Sequence, residues 1–168
     1  MITKSYIEKN LKEIESLYNH SSSPKQSLYY SKLALLELCG WIENSLDDIV
    51  IRLSKRLLRN ITHQTYLTRD VIKIIHCFTY ETNFRRMLEA IIGLNGVELM
   101  EMKVDRRLFD PMVGTLGSLK GKRDDYAHNY IKGITMTLDA PSRIKMYFYT
   151  IYNGLINVDN VLKTIKSR

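Results

Sequence analysis

The chain has 168 residues, of which 45% are hydrophobic, and it contains only 8 glycines and 3 prolines. This composition argues against a disordered or all-β protein, and the length suits one domain that buries its own core. A formal net charge of +7 favours a polyanionic partner such as nucleic acid, although the 18 acidic residues are interspersed rather than segregated.

The two cysteines, Cys39 and Cys77, lie in apolar helical patterns without a zinc-type spacing. Reduced thiols of an intracellular protein are therefore favoured over a disulfide. The N-terminal residues lack the apolar stretch of a secretion signal, and no uncharged run approaches ~18 residues. We expect a cytoplasmic protein without a membrane segment.

Two helices are predicted in the first third of the chain. Apolar residues recur at helical spacing over 3–20, and the run Ser21-Ser22-Ser23-Pro24 ends that helix. A long second helix begins near Pro24, with Ser23 as its N-cap. Gly40 within it predicts a close helix crossing. The apolar seam of this helix has the spacing of a bundle helix and comprises Leu35, Leu38, Ile42, Leu46, Ile49, Leu53 and Leu57.

The middle of the chain is more broken. Polar and β-branched residues at 61–69 predict a connection into a helix over roughly 67–79. A further helix near 82–103 is interrupted at Gly93-Leu94-Asn95-Gly96. Asp110 and Pro111 predict the start of the next helix, with Asp110 as its cap. A kink or break is expected near Gly121, and it would place the following residues close to a helix start, where backbone amides bind anions.

The last part of the chain contains one long predicted helix. Residues 131–140 are rich in threonine and β-branched side chains and predict an extended excursion of up to ten residues. Pro141 then opens a final helix that continues to about residue 166. No internal repeat, low-complexity tract or linker divides the chain, so a single domain over 1–168 is expected.

The stretch 122–130, Lys-Arg-Asp-Asp-Tyr-Ala-His-Asn-Tyr, concentrates the chemistry of the chain. Arg123 is permanently charged and offers a rigid fork of donors that suits a phosphodiester oxygen. His128 has an ordinary pKa near ~6.5 and can exchange protons close to neutrality. The two lie about 140° apart on a regular helix, so a second copy of the helix is needed to bring them into one cleft.

The arrangement Arg123-x4-His128-x-Tyr130 resembles the signature of the HEPN superfamily, small helical bundles many of which are metal-independent ribonucleases of toxin–antitoxin, phage-defence and RNA-processing systems. The segment 35–43, Leu-Leu-Glu-Leu-Cys-Gly-Trp-Ile-Glu, is similar to the first core helix of HEPN proteins of the RiboL-PSP-associated kind. The resemblance implies an all-α HEPN-like bundle of about five to seven helices, and a homodimer with a composite active site.

The resemblance also implies roles for single residues. His128 is expected to serve as acid–base and Arg123 to stabilise the phosphorane formed by attack of a ribose 2′-hydroxyl. Asp124 would orient one of the two. Tyr130 corresponds to a tyrosine that a partner modifies with AMP in HEPN toxins paired with nucleotidyltransferase antitoxins, but the Asp125-Tyr126-Ala127 spacing differs, so a core or substrate-stacking role is favoured. Candidate RNA contacts are Lys122, Arg85, Arg86, Arg106 and Arg107.

Several alternatives remain open from the sequence. Glu43, Asp47 and Asp48 can orient Arg123 from across the bundle, although acidic residues on a helix more often form a solvated face. His63 and His76 share no metal-ligand spacing, and neither a metal site nor a cofactor is expected. The alternative to an RNA-cleaving enzyme, with an antitoxin or regulator as a further partner, is a non-catalytic HEPN-like dimerisation module that binds RNA or a protein.

Overall fold

A computed structural model describes residues 2–75, 77–128, 130–131 and 138–165. Within these ranges the chain is helical and contains no strand, so the all-α prediction is confirmed. Two wider π-helical turns, Leu67–Ile72 and Tyr80–Phe84, connect the third and fourth helices. The six α-helices of the described residues are α1 (Ser5–Asn19), α2 (Pro24–Leu57), α3 (Ile61–Tyr66), α4 (Arg85–Lys103), α5 (Arg106–His128) and α6 (Pro141–Thr164).

Helices α2 and α6 run parallel to each other in the bundle. Trp41 of α2 packs edge-on against Phe148 of α6, with ring centroids 5.0 Å apart. Farther along, Arg52 Nη2 of α2 lies 3.1 Å from Asp159 Oδ1 of α6, with the same offset in sequence. Helix α5 is antiparallel to α6, because its first residues lie near the end of α6 and its last residues lie near the start.

Apolar faces of α1, α2, α4, α5 and α6 meet in one core. The predicted seam of α2 is buried from Leu35 to Leu53, while Leu57 is partly buried against the core. The largest fully buried side chains are Phe78, Phe84, Phe148, Leu11, Leu35, Leu38, Ile42, Leu46, Ile49, Met87, Leu88 and Met100. Burial of this apolar surface supplies most of the stability of the helices, since single helices of these lengths are marginal in water.

Several predicted boundaries are confirmed. Ser23 caps α2, because its hydroxyl accepts a hydrogen bond from the backbone N–H of Gln26 at 3.2 Å. Helix α4 is interrupted at Gly93, where φ is 66°. The last helix begins at Pro141 as expected. Of the extended excursion predicted over 131–140, residues 131 and 138–140 are not helical, and 132–137 lie outside the described residues.

Two predicted helix starts are wrong. The segment 61–69 is helical rather than a connection, since the Asn60 side chain accepts the N–H of Thr62 at 2.8 Å and starts α3. Helix α5 begins at Arg106, not near Pro111, because Asp105 accepts the N–H of Arg107 at 2.9 Å. Pro111 therefore lies inside α5.

The expected kink at Gly121 is absent, and α5 continues without a break to His128. Leu116, Leu119 and Tyr126 are buried on both sides of the glycine, and their packing outweighs its weak helix propensity. Arg123 accordingly lies near the end of a helix rather than near a start. The proposed contribution of backbone amides to anion binding at Arg123 does not apply.

Gly40 does not mark a close crossing, because a Cβ built on it meets no atom within 4 Å. The close approach occurs instead at Gly154 of α6. A Cβ at that position would lie 2.7 Å from Sδ of Met112 on α5. This contact sets how closely α5 and α6 pack.

Candidate functional site

Arg123 points from α5 towards α2. Its Nη1 donates a hydrogen bond to Asp124 Oδ1 at 3.1 Å, and its Nη2 lies 3.5 Å from Glu43 Oε1. The side chain is 35% exposed, so the guanidinium can still be reached from solvent. Glu43 is one of the three acids of α2 that were predicted to orient this arginine, and it makes this contact, while Asp48 is exposed.

Arg123 and Asp124 shift each other's pKa values. The hydrogen bond from Arg123 lowers the pKa of Asp124 below its usual range, and the same hydrogen bond raises the pKa of Arg123. Asp124 is therefore ionised at neutral pH, and it also lies 3.5 Å from Lys120 Nζ. The arginine is held between two carboxylates at the surface of the bundle.

His128 is the last residue of α5, and its side chain is exposed. Because α5 is continuous from Arg123 to His128, the two side chains diverge by about 140° around the helix axis. One protomer therefore does not bring the two together. This is the geometry that the sequence predicts for the motif on an unbroken helix.

The face of α5 that carries His128 is lined by glycine. Gly114, Gly117 and Gly121 are exposed, and a Cβ added to any of them meets no atom within 4 Å. Spacings of three and four residues place them on one side of the helix, and position 128 follows seven residues after 121 on the same side. A second helix can approach this face more closely at the three glycines, since they carry no side chain there.

Lys122 forms an internal network. Its Nζ donates to Asp139 Oδ2 and to the hydroxyl of Tyr147, the latter at 3.3 Å. The hydroxyl of Tyr126 accepts the backbone N–H of Asp139 at 3.3 Å, and Arg143 Nε lies 3.6 Å from the same carboxylate. Burial alone would lower the pKa of Lys122, but the bonds to Asp139 and Tyr147 outweigh it and raise the pKa.

This network joins the end of α5 to the residues that precede α6, close to His128. Lys122 is thus used mainly as an anchor, and it is 34% exposed. The sequence did not predict that Asp139, Tyr126 and Tyr147 belong to this network. The one local signal was an acidic residue shortly before the proline that opens α6.

The other candidate RNA-binding arginines lie at the far end of the bundle. Arg85 is paired with Glu89 and Glu101, Arg106 with Asp110, and Arg107 with Asp105, while Arg86 is exposed. Arg106 precedes Arg123 by about 25 Å along α5. The structure does not bring these four residues together with the motif.

Two further side chains near the motif have clear environments. Cys39 is buried, and burial, followed by the charge of Glu43, raises the pKa of its thiol to about 12. It is therefore protonated at neutral pH and unsuited to nucleophilic chemistry. Tyr130 is 72% exposed. This exposure excludes a role in the core, and the substrate-stacking role stays a prediction.

Two other features are absent from the part of the chain that the structure describes. No group of three or more histidine, cysteine, aspartate and glutamate side chains there could hold a metal ion, and no helix of that part is long and apolar enough to cross a membrane. His76 lies outside the described residues. Comparisons of the chain with protein-family models, with curated proteins and with solved structures give no match.

Proposed function

We propose that the protein is a HEPN-type, metal-independent endoribonuclease that acts as a homodimer. The observation that supports this most directly is one unbroken helix bearing an exposed His128, a carboxylate-held Arg123 and an open glycine face. Internal attack of a ribose 2′-hydroxyl on the adjacent phosphodiester would leave a 2′,3′-cyclic phosphate and a 5′-hydroxyl. From the family resemblance we also propose a toxin–antitoxin or phage-defence setting for such an enzyme.

Each motif residue has a defined task in this proposal. His128 accepts the proton of the 2′-hydroxyl, and the second histidine of the dimer protonates the leaving 5′-oxygen. Arg123 stabilises the negative charge that develops on the phosphorane oxygens. Glu43 and Asp124 keep the guanidinium in place, and the two contacts leave other N–H donors for phosphate.

The dimer follows from the divergence of Arg123 and His128. A two-fold axis beside the glycine face of α5 would bring two histidines together, and each Arg123 would have to reach the cleft from about 140° around its own helix. Gly114, Gly117 and Gly121 are open to solvent, and without side chains they would allow a second helix to come close. A composite cleft of this kind requires no cofactor.

A second candidate is a non-catalytic dimerisation module that binds RNA or a protein partner. One observation favours it: both contacts of Arg123 are to carboxylates of its own chain. These contacts partly neutralise the arginine, as expected for a structural pair.

The test is cleavage of a mixed RNA pool by the purified protein in excess chelator, with the new 3′ ends typed chemically. Variants His128→Ala and Arg123→Ala are compared with matched controls at exposed residues of the same type, His63→Ala and Arg59→Ala. We expect the motif variants to lose about 10²-fold or more of the cleavage rate while remaining dimeric by light scattering. The controls should cleave as wild type does.

If the wild type is inert, or if the motif variants cleave as fast as the controls, the catalytic proposal is wrong. RNA binding by an inert wild type, measured in the same samples, would then support the binding module.

A further inference from the structure

A groove with a volume of about 720 Å³ lies where α4 is interrupted. It is bounded by the end of α2, both halves of α4 and the end of α6. Its apolar floor includes Leu57, Ile91, Ile92, Leu94, Leu99 and Ile165. Apolar side chains dominate this lining, and it contains no aromatic ring.

The shape of the groove depends on two glycines. Gly93 has φ 66°, in the left-handed region that favours glycine, and it breaks α4 into two halves. At Gly96 a Cβ would lie 2.6 Å from Cβ of Ile92, so the second half can fold back only because this residue has no side chain. The break leaves Leu94 65% exposed and Leu99 44% exposed.

The charges around the groove are mainly positive. Among the described residues that line it, Lys103 is the one that is charged. Arg56 of α2 donates to the carbonyl oxygens of Leu162, at 2.6 Å, and of Ile165, at 3.3 Å, which fixes a cation beside the lining. Lys55 and Arg59 are exposed on either side of Arg56 in sequence.

The buried carboxylate of this end of the bundle does not cancel that charge. Asp159 lies 3.1 Å from Arg52 and 2.8 Å from Lys163, so its charge is already matched by these two residues. Glu98 on the second half of α4 is exposed but does not line the groove. An apolar floor with a basic margin is therefore available to a partner.

We propose that this groove binds an acidic amphipathic helix of a partner protein. Apolar side chains at helical spacing would occupy the leucine and isoleucine floor, and carboxylates beside them would face Lys103 and the end of α2. The lining disfavours RNA, which needs stacking aromatics or a dense set of donors. Exposed leucines at the margin suit a macromolecular surface more than an enclosed small-molecule cavity.

The inference does not depend on RNA cleavage. Leu57 follows Glu43 by about 21 Å along α2, so the groove is separate from the Arg123 and His128 region. Binding at the groove can therefore be tested in the full-length protein whether or not it cleaves RNA.

The experiment is selection of a displayed random 16-residue peptide library on the wild-type protein, with counter-selection on Leu99→Asp. We expect enriched peptides with leucine, isoleucine or phenylalanine at steps of three and four, and with aspartate or glutamate beside them. Binding of the leading peptide is then measured by fluorescence anisotropy. Leu99→Asp should weaken its binding about tenfold or more, since a central apolar contact is lost.

Two further variants make the test specific. Lys103→Glu should weaken binding of the acidic peptide. Selection on this variant should enrich peptides that carry lysine and arginine instead. Met102→Asp, at a neighbouring residue that is 75% exposed and outside the lining, should bind as wild type does. Thermal unfolding of each variant checks that the fold is retained.

The proposal is overturned if no apolar and acidic pattern is enriched, or if the Leu99 and Lys103 variants bind the peptide as tightly as Met102→Asp. The proposal is also overturned if a single-stranded RNA oligomer displaces the peptide and if Leu99→Asp and Lys103→Glu weaken RNA binding as much as they weaken peptide binding. That result would assign the surface to nucleic acid.

Discussion

Arg123 is held by Asp124 and Glu43 through two different nitrogens of one planar group. A lysine ammonium carries the same charge but cannot bridge two separated carboxylates and also present a fork to phosphate. The arrangement therefore selects arginine for its geometry as well as for its charge. The hydrogen-bonded Asp124, with its lowered pKa, remains an anion throughout the neutral range.

If the proposed reaction is correct, Arg123→Lys should lower kcat for RNA cleavage by about 10²-fold. The physical reason is loss of the fork that stabilises the transition state, with little change in ground-state attraction for RNA. Steady-state kinetics in chelator check this. A kcat within about threefold of wild type would mean that charge alone is needed and would contradict the assigned role.

His128 shows the limit of sequence reasoning at this scale. Its identity and its spacing from Arg123 are visible in the chain, and so is the divergence of the two side chains on a regular helix. The anchoring of the adjacent backbone through Asp139, Tyr147 and Tyr126 was not visible. Lys122 and Asp139 are 17 residues apart, and only the folding of α6 against α5 brings them into contact.

Among the described helices, α5 and α6 form the pair with the most extensive contact, and Gly154 permits their close approach at Met112. Gly154→Ala should lower the free energy of unfolding by about 1–3 kcal/mol, because the added methyl overlaps Met112. Gly40→Ala, at an open helical position of α2, should instead raise it by up to about 1 kcal/mol. Urea denaturation of both variants measures the difference, and equal effects would show that the contact at Gly154 relaxes freely.

The open glycine face of α5 makes a second prediction about this element. Gly117→Arg should dissociate the proposed homodimer, because a long charged side chain would stand between the two helices. A Cβ added at Gly117 meets no atom of the chain within 4 Å, so the fold should be retained. Light scattering at matched concentrations measures the mass.

The control for the dimer is Ala90→Arg, at an exposed small residue of α4, which should leave the mass unchanged. Cleavage should disappear together with the dimer in Gly117→Arg. A variant that stays dimeric would move the interface to another face of the molecule.

At the scale of the whole molecule, Asp159 is the one buried charged residue among those the structure describes. Burial alone would raise its pKa, but the hydrogen bonds from Lys163 and Arg52 outweigh burial and lower it. A carboxyl whose pKa is lowered by folding contributes stability above its unfolded value of ~3.9. That contribution disappears as the pH falls through the folded value.

Asp159→Asn should therefore lower the free energy of unfolding by about 1–2 kcal/mol at pH 7. This loss is smaller than the loss expected when a fully buried ion pair is broken, because Arg52 and Lys163 reach solvent. The difference from wild type should shrink below about pH 4. Urea denaturation at several pH values measures both. Asp110→Asn, which breaks the exposed pair with Arg106, should have little effect, and a pH-independent loss in Asp159→Asn would exclude the ionic explanation.

The sequence by itself determined the all-α class, the cap and start of α2, the break in α4 and the start of α6. These features depend on apolar periodicity and on caps and breakers within a few residues of each other, so they can be read locally. It also determined which two residues carry the motif and that they diverge on one helix.

Only the tertiary structure decided where α5 begins, that it passes unbroken through Gly121, and that Arg123 lies against Glu43. Buried Leu116, Leu119 and Tyr126 outweigh the local signals of proline and glycine, because burial of a whole face exceeds the propensity of one residue. The Lys122 network, the Asp159 pairs and the groove at Gly93 likewise join residues far apart in sequence. Their positions depend on how the helices pack, which a single sequence does not specify locally.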